Sequence, residues 1–223
     1  MQYRQLLQLI NENVDPTYRE FQKRLLKNDS INLLGVRIPV LRKIAKQFKD
    51  DIDNLLSFPN ENYETVFIKL TAVSKLDYDG LIKYIDYCVS LIDNWATCDC
   101  FAPKCISKNK NQFLQYIKKY INCDSEFCQR FALTTLLHFY VEDEYLQTIF
   151  NVIEKAKTEK YYYVHMAASW LIAEVLIKFF DSGVLFLRSG AVDAKTNNKS
   201  IQKANESFRL SKEQKNFLKE IKR

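Results

Sequence analysis

Apolar residues recur three and four positions apart along almost the whole chain, the spacing that places them on one face of a helix. The first such stripe is Leu6, Leu7, Leu9 and Ile10. Asp15-Pro16 then reads as an N-cap followed by proline at the first helical position. Tyr18, Phe21, Leu25 and Leu26 carry the stripe of the helix that follows, and Asn28-Asp29-Ser30 breaks it. Another helix starts at Ile38-Pro39, with Leu41, Ile44, Ala45 and Phe48 inward. Helical segments are predicted further on over residues 51–57, 62–75, 78–91, 93–107, 110–121, 125–140, 143–156, 160–180, 196–207 and 211–222. Short polar joints such as Asp77-Tyr78-Asp79-Gly80 and Asn122-Cys123-Asp124-Ser125 separate them. Residues 183–200 are read as a loop followed by a helix start, on the strength of the polar, weakly periodic stretch 189–200.

Helix–loop–helix units of about 30–40 residues, one after another, suggest stacked helix pairs; an irregular helical bundle would give the same periodicity. The expectation is therefore an all-α fold of about 12–14 helices, in a single domain over residues 1–223. Four glycines and four prolines are too few for the many tight turns of an all-β fold. No two glycines stand close enough for GxGxxG or a Walker A loop. Apolar residues make up 47% of the chain, enough for a packed core. The net charge of +6 favours a polyanionic partner. Lys195, Lys199 and Lys203 sit at i, i+4 and i+8, one helix face suited either to a phosphate backbone or simply to solvent. With no apolar run long enough to span a membrane and no leader before the first amphipathic stripe, a cytoplasmic protein without a membrane partner is expected. Its six cysteines are then expected as reduced thiols.

Chemistry concentrates in a few places. Trp95 and Asp99 are four residues apart, so an indole and a carboxylate share a helix face that would attract a cation. A core aromatic and a capping carboxylate would leave the same pattern. Arg130 stands in an otherwise apolar helix, where it either reaches out to solvent or grips a phosphate. Trp170 follows the small residues Ala167-Ala168-Ser169, which permit close approach. Cys98, Cys100, Cys105, Cys123 and Cys128 form no C-x2-C pair, and His138 and His165 lack ligand spacing, so no metal is expected. Both histidines read as interior or helix-packing residues. No pair of carboxylates is set for acid–base hydrolysis: Asp93 and Asp99 are six apart, on different faces.

Four segments, in order, carry a resemblance that spans nearly the whole chain. Gly35-Val36-Arg37-Ile38-Pro39-Val40-Leu41-Arg42-Lys43 resembles the G-[VI]-x-x-P-x-x-R-K segment of the AlkD-like DNA alkylation repair family. Asn94-Trp95-x3-Asp99 resembles that family's N-W-x3-D segment. Gln129-Arg130-x-Ala132 with Leu137-His138-Phe139, and Ala168-Ser169-Trp170-Leu171, match two later ones. The resemblance implies a superhelical array of HEAT-like helix pairs, an α-solenoid, with a basic concave face for duplex DNA. It implies a glycosylase that hydrolyses the N-glycosidic bond of cationic N3- or N7-alkylated purines such as 3-methyladenine and 7-methylguanine. Asp99 would be the catalytic carboxylate and Trp95 and Trp170 the aromatic walls. Arg130 would contact the DNA backbone near the lesion; Arg42, Lys43 and the lysine face Lys195, Lys199 and Lys203 are expected as further DNA contacts. No cofactor is expected, and a monomer on double-stranded DNA with alkylated bases is. No lysine is marked out as a Schiff-base nucleophile, so simple hydrolysis rather than strand cleavage is expected. The sequence departs from the family pattern at Phe21, roughly where a tyrosine is usual, and at Ile38, which replaces a small hydroxylated residue. The family also holds members that bind branched or distorted DNA without evident glycosylase activity, which is the alternative function.

Overall fold

The computed structural model describes residues 1–26, 28 and 30–223. It is all-α, as the apolar spacing predicts: among the described residues there are fourteen α-helices, and the only β pairing is one isolated bridge between Val14 and Val36. The chain packs as two compact units, residues 1–108 and 109–223. At the predicted break Asn28-Asp29-Ser30 the Asn28 side chain accepts from the Ser30 amide at 3.1 Å. Asp29 lies outside the described residues.

The first unit holds α1 (Tyr3–Asn11), α2 (Pro16–Leu26), α3 (Ile38–Ala45), α4 (Ile52–Ser57), α5 (Tyr63–Val73), α6 (Tyr78–Ser90) and α7 (Trp95–Cys100). α5 is its axis and packs against α3, α4, α6 and α7. Apolar residues cover nearly every side of α5, as a central helix requires. Two charges are nevertheless fully buried in it, Glu64 and Lys69. Glu64 accepts from the backbone amides of Leu34, Gly35 and Val36, at 3.1, 2.7 and 3.3 Å. Lys69 does the reverse. Its ammonium donates to the carbonyls of Leu56 and Phe58 at the end of α4, to Asn60 and to the Tyr87 hydroxyl. Buried charges are tolerated only with such partners. Gly35, held by Glu64, has φ +97°, and a Cβ there would stand 2.5 Å from the Arg19 Cβ. The turn into α3 is thus fixed by a backbone shape and a close approach that glycine alone permits.

The second unit holds α8 (Lys110–Ile121), α9 (Glu126–Phe139), α10 (Leu146–Lys155), α11 (Tyr162–Lys178), α12 (Phe180–Arg188), α13 (Ala194–Asn205) and α14 (Lys212–Glu220). α9, α11 and α13 pack in succession, with α11 in the middle and buried on nearly all sides. Gln129 ties two joints together: its amide nitrogen donates to the Cys123 carbonyl at 2.8 Å, and its oxygen accepts from the Lys157 amide at 2.9 Å.

Two predicted boundaries are corrected. The segment 93–107 is not one helix. α7 ends at Cys100, and a separate 3-10 turn covers Lys104–Lys108. Pro103 disfavours helical backbone at Ala102 and brings no amide of its own. Residues 183–188 are not loop but the body of α12. Ser182-Gly183 looks like a turn, yet Gly183 is there for packing: a Cβ on it would lie 2.8 Å from the Leu176 side chain and 3.1 Å from the Leu176 Cα on α11.

Candidate functional site

α7 presents the indole and the carboxylate that the spacing predicts. It is only six residues long, so its geometry depends on how it starts. Asn94, itself buried, is the N-cap: its Oδ1 accepts from the Thr97 amide at 2.9 Å, and the Thr97 hydroxyl donates back to the Asn94 carbonyl at 3.1 Å. Trp95 and Asp99 follow, one turn apart and both half-buried. A half-buried carboxylate keeps access to a ligand while losing part of its screening by water.

Other helices of the first unit supply the surroundings of α7. Arg42 of α3 reaches Cys100, the residue after Asp99. Although part of Cys100 meets solvent, enclosure raises its thiol pKa, the Arg42 guanidinium pulls it down, and the Asp99 carboxylate adds to the rise. Tyr63 of α5 is buried, and its phenol is pushed well above the usual tyrosine range by that burial, with Cys100, Tyr18, Glu64 and Asp93 adding to the effect. Tyr18 of α2 is also raised by burial, opposed by Arg37, whose guanidinium carbon lies 5.1 Å from the ring centroid. Two phenols and a guanidinium thus interact electrostatically with Cys100 at the end of α7. Of these only Arg42 is anticipated from sequence, and Lys43 beside it is exposed on the same helix. Phe21, the departure from the family pattern, is 51% exposed and stacks on Tyr18 at 6.1 Å.

The second unit holds the remaining candidates. Arg130 of α9 is buried rather than reaching out. One of its nitrogens donates to the Tyr163 carbonyl at 2.8 Å, and its guanidinium sits 5.9 Å from the Tyr163 ring centroid. Glu126 accepts from the Tyr163 amide at 2.6 Å, so α9 holds the first turn of α11 by both sides of one residue. Trp170 of α11 is 39% exposed and lines a cleft of about 260 Å³. Lys203 of α13 lines the same cleft, so two of the predicted residues are brought together there. Glu174 stands one turn beyond Trp170, repeating the indole–carboxylate spacing of α7, but Arg209 grips it bidentately at 2.8 and 2.6 Å.

Lys195, Lys199 and Lys203 lie along one side of α13, with Lys195 exposed and the other two half-buried. They face His165, which is buried on α11 and hydrogen-bonded through Nδ1 to the Thr196 hydroxyl at 3.0 Å. Burial lowers the His165 pKa, the three lysines lower it further, and Asp193 opposes them. Asp193 caps α13, accepting from the Thr196 amide and from the hydroxyls of Thr196 and Thr158. Burial works to raise its pKa, yet these hydrogen bonds outweigh it and the net shift is downward. His138, read from sequence as interior or helix-packing, is exposed. It falls near the end of α9, beyond the buried run Gln129–Leu136.

All six cysteines are free thiols. Among the described residues no three His, Cys, Asp or Glu side chains gather as metal ligands would, and no helix is long and apolar enough to cross a membrane.

The family model described as "DNA alkylation repair enzyme" matches residues 5–209. No curated protein matches the chain.

Proposed function

We propose, because this chain belongs to the DNA alkylation repair enzyme family and its role is in the repair of alkylated DNA, that it is a monofunctional glycosylase. It hydrolyses the N-glycosidic bond of cationic N3- or N7-alkylated purines in duplex DNA. The observation that carries this reading is α7, which offers an indole and a carboxylate on one partly open face.

The chemistry matches what that face can do. Alkylation at N3 or N7 gives the base a positive charge, so it is already a good leaving group and no general acid is required. An indole face stabilises such a cation by roughly 0.5–2 kcal/mol, more when water is excluded. As the bond breaks, positive charge moves onto the sugar, and a fixed carboxylate beside it stabilises the oxocarbenium-like transition state. Asp99 takes that role and either orients the attacking water or shields the cation until water arrives. Trp170, partly exposed beside Lys203, offers a second aromatic surface to the DNA. The lysines of α13, with Arg42 and Lys43, supply phosphate contacts, which position the duplex without reading its sequence. Arg130 holds the start of α11 through Tyr163, which supports a role in shaping the DNA-facing surface from within.

The test is release of 3-methyladenine or 7-methylguanine from methylated duplex DNA. Wild-type protein should release base at catalytic concentrations. Asp99→Asn should lose most of that activity and keep DNA affinity within about twofold. No release by the wild type would overturn the glycosylase reading. Shape-dependent binding to junctions, unchanged in Asp99→Asn, would then identify a non-catalytic binder of branched or distorted DNA.

A further inference from the structure

A cavity of about 710 Å³ opens in the first unit, and of its charged lining only Arg42 has a part in the glycosylase reading. Five cations line it: Arg42 and Lys46, Lys49 just after, Lys75 beyond the end of α5, and Lys104. Among the described residues no carboxylate lines it. Its remaining wall is mostly small and apolar, with Ala45, Ala72, Leu76 and Ala102. Thr71, Ser74 and Cys100 add hydroxyls and a thiol. Lys49 has an exposed ion pair with Asp50 at 3.6 Å, outside the lining.

Five like charges around one concavity repel each other, and a cleft lined by one sign of charge focuses its field on what enters. The size lies within the range of sites for small organic ligands, about 300–1,000 Å³. A duplex is too wide to enter; a single nucleotide unit is not. The occupant must carry several negative charges for the cationic rim and an uncharged body for the apolar wall.

We propose that this cavity binds one phosphorylated nucleotide, its phosphates on Arg42, Lys46, Lys75 and Lys104 and its sugar or base against Ala72, Leu76 and Ala102. An arginine grips phosphate oxygens bidentately and lysines add point charges, so the rim suits a phosphate group better than a lone carboxylate. The same chemistry has two sources: a free nucleoside polyphosphate, or the 5′-phosphorylated end of a DNA strand. The proposal stands on the cavity's lining and does not depend on base release.

The experiment titrates the full chain with ATP by calorimetry, beside the double variant Lys75→Glu/Lys104→Glu. A second double variant, Lys118→Glu/Lys219→Glu, makes the same change in net charge at exposed positions outside the cavity. Circular dichroism and thermal melting establish that all three fold alike. The expected result is one ATP site, weakened at least tenfold in the cavity variant and less than twofold in the control. A 5′-phosphorylated single strand is then used to compete with ATP. Displacement at a lower concentration than the unphosphorylated strand needs identifies the strand end as the natural occupant; failure to displace identifies the free nucleotide. Should neither ATP nor the 5′-phosphorylated strand distinguish wild type from the cavity variant, the proposal is overturned. Equal weakening in the control would overturn it as well, because bulk charge would then explain the binding.

Discussion

Asn94 holds the start of a helix too short to stand alone, and the two side chains proposed for catalysis hang from that helix. Asn94→Ala removes the oxygen that accepts the Thr97 amide and should cost about 1 kcal/mol in urea unfolding. Base release should fall more than stability does, because Trp95 and Asp99 lose their fixed direction. Glu64 is the next single residue with a large expected effect. Glu64→Ala strands the amides of Leu34, Gly35 and Val36 in a buried place, at roughly 3 kcal/mol in total. Glu64→Gln keeps an acceptor for them and should recover part of that loss in the same unfolding assay. His165 gives a pH dependence whose sign follows from its lowered pKa. The unfolded chain takes up this proton near the ordinary value of 6.5, before the folded protein does. The stability His165 contributes is therefore complete above about pH 6.5 and is lost as pH falls through the lower folded value. Urea midpoints at pH 7.5 and 5.5 should differ in wild type and converge in His165→Asn. Asp193, also lowered, acts in the same direction but only below its own unfolded value of 3.8.

At the level of helices, α12 is where sequence pattern and packing part company. Gly183→Ala should gain about 1 kcal/mol of helix propensity in isolation. In the protein the new methyl meets Leu176 on α11, whose Cα would be 3.1 Å away. Overpacking of that kind costs roughly 1–3 kcal/mol, so the variant should be less stable by urea unfolding, and Gly183→Val less stable still. The loop expected over 183–200 rested on the polar stretch 189–200, whereas the apolar run Val184-Leu185-Phe186-Leu187 just before it belongs to α12. The stripe Leu41-Ile44-Ala45-Phe48 was legible because one-sided burial leaves a period in the sequence, and all four residues are buried; of Leu6, Leu7, Leu9 and Ile10, Leu6 and Ile10 are buried and the other two half-buried. Trp95 and Asp99 were legible for the same reason, since four residues is one turn. Glu64 and Lys69 were not. Charges five apart on a helix look like a solvated surface, and only the carbonyls and amides brought from other segments show that they are buried. The basic cavity was half legible: Arg42, Lys46 and Lys49 recur at helical spacing, but Lys75 and Lys104 come from distant joints.

Across the whole molecule the net charge of +6 favours a polyanion, and the number of lysines and arginines that meet phosphates sets how DNA affinity should respond to salt. Each phosphate neutralised by a lysine or arginine releases counterions, so affinity for duplex DNA should drop at least about tenfold between 50 and 200 mM salt. Replacing Lys195 and Lys199 by alanine should make the slope of log affinity against log salt shallower by about two, without altering preference among sequences. Filter binding or fluorescence anisotropy at four salt concentrations measures both. The bridge made by Gln129 bears on how this chain can change length. With one side chain bonded to Cys123 and to Lys157, the two joints it spans are held at a fixed separation. An added residue in either joint would unseat Gln129 from a fully buried position, whereas one added at the exposed stretch Ser189–Ala191 meets no such restraint. The places where evolution can lengthen this protein are therefore unequal, and the joints between its helices divide into those that admit insertions and those that one glutamine keeps closed to them.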